Sequence, residues 1–405
     1  MACAGELLAP YPAAAARRAP RAFGELMEWL DGHPMSMRLI LPHLATTEPE
    51  ALLAGLHGIA LLPGWDDRQA DRAASLPASL GYSFAHLDSA TRQLVTAICL
   101  IHDTASAVAL ELFSDQHGVP ERFRGVAREA WADALRAAAR VGLLTGLGGG
   151  MYRIHPALPA FLAAMWRDAD PIGYESQRAT ATHALLFAYA DFAGLLSEHI
   201  NSGNAGLAYA VIDLQQRTMS HLLGYAPERK YWKQAKAITE VLSQYWNVSG
   251  LYSEADAWVN RALAAVEDGN DTRTLDNAAS ALWLFLTGEK SGRQAITGHF
   301  DDADRTEHEI LAMLRSQPAS PTRQGQLAVA YQRLGANAHD RGRLEEASDW
   351  CTRALAINED LGNRPGVAWS CQRLGWIMQD QGRLDEAAKF YQRSLAINTS
   401  SFESA

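Results

Sequence analysis

Cysteine is scarce in this chain of 405 residues: Cys3, Cys99, Cys351 and Cys371 are too few and too scattered for a disulfide framework or a C-x-x-C zinc site. That usage fits a reducing cytoplasm. Lysine is scarce too, with five of the 36 basic residues, and no basic tail offsets a net charge of −10. Phosphate binding needs a local excess of Lys and Arg, so nucleic acid is not expected as the main partner. No apolar run reaches the length of a bilayer span, and the N-terminus lacks the apolar core of a secretory signal, so no membrane contact is expected. No Gly-Lys pair occurs anywhere, which removes the G-x-x-x-x-G-K-[ST] loop that cradles phosphates and holds magnesium. Autonomous ATP hydrolysis is therefore not expected.

What the chain has is helical periodicity. From about residue 21 apolar residues recur at spacings of three and four while β-branched alternation is almost absent, so the fold class reads as all-α. Residues 1–20 are rich in Ala and Pro without an apolar period and are expected to be disordered. Helices are predicted over 22–30, from Pro34 through Leu41 with Pro42 as a kink, and over 48–58, with a Pro-Gly linker at 62–72. These make a helical, lid-like segment over 21–75. Residues 76–168 change character, with helices predicted over 88–101, 104–113 and 126–141, then two short apolar runs split by the Gly-rich stretch 146–150. Three helices ending in such a hairpin suggest a winged helix. A helical connector is expected over 169–229.

From 230 to 405 the chain reads as an array of helical pairs. One phrase recurs four times, as Gly250-Leu-Tyr252-Ser-Glu254-Ala255, Gly298-His-Phe300-Asp-Asp302-Ala303, Gly342-Arg-Leu344-Glu-Glu346-Ala347 and Gly382-Arg-Leu384-Asp-Glu386-Ala387, at spacings of 48, 44 and 40 residues. Glycine should end the first helix of each pair in a left-handed turn, the Leu or aromatic should plug the gap between the helices, and the alanine should let them approach closely. Such pairs bury their apolar faces only by stacking on neighbours, which predicts an α-solenoid.

These residues resemble tetratricopeptide repeats from about 230 to 399. Leu334, Gly335, Gly342, Ala347 and Ala354 fit the motif, as do Leu374, Gly375, Gly382 and Ala387, whereas Ser394 stands in place of the last alanine and Lys290 where the motif wants Leu. The N-terminal half is similar to the lid and winged-helix segments of the STAND class of regulatory ATPases, which includes the NB-ARC proteins. Asp31-Gly32-His33-Pro34-Met35-Ser36-Met37 resembles the Gly-x-Pro motif that opens a lid helix, and Tyr152-Arg153-Ile154-His155-Pro156 resembles the motif that ends the winged helix. The resemblance implies that Pro34 and His155 lie near a nucleotide, and that ligand capture by the repeats controls an ATPase core. With no phosphate loop here, the chain reads as the C-terminal part of such an architecture. No cofactor is expected unless another chain supplies that core, and the bland reading is that Pro34 starts a helix and His155 packs at a junction.

The expected function is that of a non-catalytic, regulatory interaction module that binds a protein or peptide. The motif points Gln332, His339, Asp340, Trp369, Gln372, Trp376, Gln379 and Asp380 to the inner face of the repeats. Trp369 and Trp376 are seven apart and share a face; they either contact a partner or pack between repeats. The alternative function is a DNA-binding regulator, with Arg128, Arg136 and Arg140 on the reading helix and the repeats as sensor. Seven arginines against seven acids in 79–166 favour a role in packing instead. Histidines such as His33, His43, His57, His299 and His308 are not spaced to share a metal, and no nucleophile elbow occurs. The last pair, with no polar cap after it, is expected to continue into further repeats or to pair with another chain. Arginine over lysine with abundant alanine suggests a bacterial gene.

Overall fold

A computed structural model describes residue 17 and residues 21–30, 34–60, 75–268 and 277–402. The chain divides into two compact units, Met1–Gly224 and Tyr225–Ala405. Among the described residues there are eighteen α-helices and one small antiparallel sheet of three strands, so the fold is all-α with a minor β element.

The first unit begins with α1 (Arg21–Trp29), α2 (Pro34–Ile40), α3 (Pro49–Ala60) and α4 (Ser75–Ala85). Phe23, Leu26, Leu39, Ile40 and Leu52 form its buried side. The expected kink at Pro42 is instead a change of helix type: α2 stops at Ile40 and a 3-10 helix, Leu41–Ala45, takes over with the proline in its first turn. A proline there forfeits no hydrogen bond, because the first N–H groups of any helix lack a partner in it. The disorder expected over 1–20 and the linker expected over 62–72 lie outside the described residues, except Arg17, whose guanidinium pairs with Glu48 at 2.7 Å.

Two helices foreseen from the sequence are shorter than expected. Of 88–101, α5 occupies Ser89–Val95, capped by the Asp88 carboxylate accepting from the Thr91 N–H at 2.8 Å, and a 3-10 turn covers Thr96–Leu100. Of 104–113, the first three residues are a strand, β1 (Thr104–Ser106), and α6 (Ala107–Ser114) starts only where the Ser106 hydroxyl can cap it. The pair of strands expected near 142–154 is thereby enlarged. After α7 (Arg128–Arg140) come β2 (Leu144–Gly148) and β3 (Met151–Ile154), and the sheet order is β1-β3-β2 with Thr104 opposite Arg153. Trp131, Trp166, Phe113 and Phe123 are fully buried, with Phe123 and Trp166 edge to face at 5.5 Å. The Trp131 indole N–H donates to the Ser114 hydroxyl at 2.8 Å, satisfying a polar group that would otherwise be stranded.

Helix α8 (Leu158–Ala169) ends the segment foreseen as a winged helix, and the segment foreseen as a connector contains α9 (Tyr174–Asn201) and α10 (Ala205–Tyr225). Helix α9 corrects the expectation about membrane length: its 28 residues include an 18-residue stretch of mean hydropathy 1.2, enough by length and composition to cross a bilayer. Half of that stretch is buried inside the unit, including Ala181, Leu185 and Tyr189, and a helix made apolar for a protein interior passes the same test. Helix α10 is tied down by hydrogen bonds. The Tyr189 hydroxyl donates to Gln215 Oε1 at 2.7 Å, and Gln215 Nε2 donates to the Thr104 carbonyl at 3.2 Å. The Thr218 hydroxyl accepts from the His102 N–H at 3.0 Å and donates to the His102 carbonyl at 2.8 Å.

Among the described residues the second unit holds four helical pairs: α11 (Trp232–Ser249) with α12 (Tyr252–Asp268), α13 (Ala278–Ile296) with α14 (Phe300–Arg315), α15 (Pro321–Asp340) with α16 (Leu344–Asp360), and α17 (Arg364–Asp380) with α18 (Leu384–Phe402). The glycine of each repeated phrase has φ between 70° and 80°, which a side chain rarely tolerates, and each turn reverses the chain there. Ala255, Ala303, Ala347 and Ala387 are all buried at the contact between helices. The plug is filled less uniformly, since Leu384 is 65% exposed where Tyr252, Phe300 and Leu344 are partly covered. A Cβ added to Gly335 would sit 2.5 Å from Cys351 Sγ, and one added to Gly375 would sit 2.5 Å from the Tyr391 ring. Ser394, the departure from the motif's alanine, is buried yet satisfied, its hydroxyl donating to the Ala368 carbonyl at 2.9 Å.

Candidate functional site

The residues expected on the inner face of the last two pairs stand on α15 and α17. Helix α17 starts at a defined residue because the Asn363 side chain accepts from the Gly366 N–H, and that fixes the angular position of everything after it. Val367, Cys371, Leu374 and Met378 turn into the core. Trp369, Gln372, Trp376, Gln379 and Asp380 are left on the other side, with Trp376 40% exposed and Trp369 half-buried.

The two tryptophans are joined by a residue absent from the sequence-based set. The Arg373 guanidinium lies 5.2 Å from the Trp369 ring centroid and 4.8 Å from that of Trp376. It stands four residues after one tryptophan and three before the other, so the i, i+3, i+4 rule applied to the Trp pair contained the signal. Arg373 also approaches Asp340 of α15, Nη1 to Oδ1 at 3.7 Å. The question of partner contact or internal contact thus has a mixed answer, since each indole gives one side to Arg373 while Trp376 still offers surface.

Other expected groove residues prove to be fasteners, between the last two repeats or within the last one. Gln332 donates through Nε2 to the Gly366 carbonyl at 3.2 Å and to the Ser370 hydroxyl at 3.1 Å. His339 Nε2 meets Asp380 Oδ2 at 2.8 Å, and Gln379 accepts from the Tyr391 hydroxyl at 2.9 Å. Gln372 and Asp340 are exposed. The structure therefore brings together Trp369, Trp376, Arg373, Asp340, His339 and Asp380 as a ridge of aromatic and charged groups, and withdraws Gln332 from it.

In the first unit, Pro34 opens α2, and its side chain lies outside the described residues. His155 follows β3, and its Nδ1 accepts from the Ala157 N–H at 3.2 Å. It lines a cavity of about 680 Å³ with His102, Asp103, Arg217, Ser220 and His221. The His102 and His221 rings stand 4.2 Å apart, and burial pushes both below the ordinary imidazole range, aided for His102 by His221 and for His221 by Arg178. Asp103 takes a left-handed φ of 70°, strained for a residue with a side chain. On α7, Arg136 pairs with Asp133 at 3.1 Å, and Arg128 and Arg140 share the exposed side with Glu129 and Asp133. Among the described residues no three His, Cys, Asp or Glu side chains gather as a metal site.

Comparison with solved structures finds BtubC (BKLC) from P. vanneervenii, at 15% identity and a TM-score of 0.39, covering 59% of this chain and 86% of that one. It also finds a Signal Transduction ATPase with Numerous Domains (STAND) protein with a tetratricopeptide repeat sensor from Pyrococcus horikoshii, at 15% identity and a TM-score of 0.34. That match covers 97% of this chain and 60% of the archaeal one. No curated protein matches the sequence. Residues 326–400, which span most of α15 and all of α16 and α17, match the tetratricopeptide repeat family, so the chain carries repeats of that kind in its second unit.

Proposed function

We propose that this chain is a non-catalytic, regulatory interaction module that captures a protein or peptide segment on the inner face of its last two helical pairs. The single observation that carries the reading is the Trp369–Arg373–Trp376 stack with Trp376 exposed beside Asp340 and Asp380. A rigid aromatic held by a neighbouring cation loses little entropy on contact, which is the character of residues that dominate binding energy. The first unit serves as a base, its residues 76–168 acting as a winged helix that packs rather than reads DNA; Arg136, already paired with an acid, supports this. The likeness of 31–37 and 152–156 to STAND motifs, in the same order as a winged helix and repeats, supports a role in controlling an ATPase core on another chain. In this reading the chain is bacterial, acts in the cytoplasm and holds no nucleotide of its own.

The test is selection of peptides on the purified chain followed by calorimetry. Trp376→Ala should weaken the selected peptide about thirtyfold, the equivalent of roughly 2 kcal/mol. Equal affinity for both proteins would remove the groove from the account.

A further inference from the structure

A second concave surface lies in the first unit, lined by residues other than those around His155. Helices α9 and α10, joined by a short turn, leave an apolar seam open toward the β2–β3 turn, and Phe192, Leu195, Leu207, Val211, Leu214 and Met151 line a cleft of about 600 Å³. Leu207 is 66% and Leu195 39% exposed, although each belongs to the apolar stripe of its helix. The turn that closes the far side is Gly148-Gly149-Gly150, all three at positive φ, so no side chain from it fills the space. Arg128, at the start of α7, is the one formally charged side chain among the described lining residues, and it has no ion pair or hydrogen bond among them. His199 is also at the rim, but its ring Nδ1 is engaged with the Leu195 carbonyl at 2.8 Å and is spoken for within its own helix.

We propose that this cleft binds a small amphipathic carboxylate, an aliphatic acid of about eight to twelve carbons, with its chain along the α9–α10 seam and its head on Arg128. A lone guanidinium at the mouth of an apolar cavity matches a carboxylate in charge and in fork geometry. The enclosure on three sides and the volume suit a compact ligand better than a flat protein face. The site is independent of the repeats, so it stands or falls apart from peptide capture.

Calorimetry on the full chain with octanoate, decanoate and octan-1-ol tests it. One equivalent of decanoate should bind saturably, about fifteenfold tighter than octanoate, as two more buried methylenes require. Arg128→Gln, at an exposed position, should weaken decanoate about tenfold and leave octan-1-ol unchanged. Val211→Trp should block both ligands with the circular dichroism spectrum retained, and Ala210→Trp, on the exposed rim, gives the same reading should the first variant misfold. Decanoate binding that fails to saturate, or that is indifferent to Arg128→Gln, overturns the proposal. So does a dimer that dissolves on Leu207→Asp in a protein taking up no decanoate, which would assign the cleft to a second copy of the chain.

Discussion

In the third and fourth helical pairs the residue seven before the loop glycine is itself glycine, Gly335 against Cys351 and Gly375 against Tyr391. In the first and second pairs that address holds Ser243 and Ser291, and the residues nine after the loop glycine, equivalent to Cys351 and Tyr391, are Val259 and Glu307. All four of these earlier residues are buried. The later pairs close backbone against side chain, and their helices run together along much of their length, whereas α11 and α12 approach at far fewer points. One architecture is thus reached by more than one route: a close glycine contact in the later pairs, a polar route through Ser291 and Glu307 in the second, and a serine with an apolar residue, Ser243 and Val259, at the same addresses in the first. The polar route carries a burden: Glu307 is wholly buried, and the nearest cation, Arg333 Nη1, stands 3.6 Å from its Oε1. Burial pushes the Glu307 carboxyl above its usual range, with Arg333 opposing.

The comparison is broken most directly by exchanging the two solutions. Gly335→Ser places a Cβ where Cys351 Sγ would be 2.5 Å away and should destabilise the second unit by about 2–3 kcal/mol, read from the urea midpoint. Arg333→Ala leaves a buried carboxylate without its cation and should remove about 2 kcal/mol, a value lowered because the arginine is itself 37% exposed. The opposite exchange, Ser291→Gly, should be milder, about 1 kcal/mol, chiefly from loss of helix propensity.

Titration sharpens the same contrast. A carboxyl whose folded value is raised holds its proton longer in the native state, so the stability linked to it is present below the ordinary carboxyl range. That stability is lost as pH rises through the folded value. Thermal unfolding followed from pH 4 upward should show this slope in the intact chain and a flatter one in Glu307→Gln. The smallest effect is expected at the motif's mild departure. Ser394→Ala should change stability by less than about 1 kcal/mol, since it deletes one hydroxyl bond and restores the residue the repeat prefers.

Much of this was legible in the residues. The four loop glycines and four alanines predicted the helical pairs because each has one local job, a left-handed turn or a close approach, that needs no knowledge of distant partners. The second helix expected in 76–168 was misread at its start for the opposite reason. Thr104-Ala105-Ser106 is a strand only because β3 lies beside it, and no local pattern announces that. On the groove, the spacing of Trp369 and Trp376 placed both on one face, but Arg373 between them and the inward engagement of Gln332 depend on where α15 sits against α17. Glu307 was invisible because a charged residue in an amphipathic helix reads as surface until its neighbours are known.

The hydrogen bonds that tie α10 to residues 102 and 104 have a result beyond holding a helix. In the order β1-β3-β2, β1 is a margin of the sheet: Asp103 turns its carbonyl to the Ile154 N–H, so His102 and Thr104 turn theirs outward. Those outward groups are the ones that Thr218 and Gln215 occupy. Two side chains stand in for a fourth strand, and an extended segment from another molecule finds that rim already sealed against addition and aggregation.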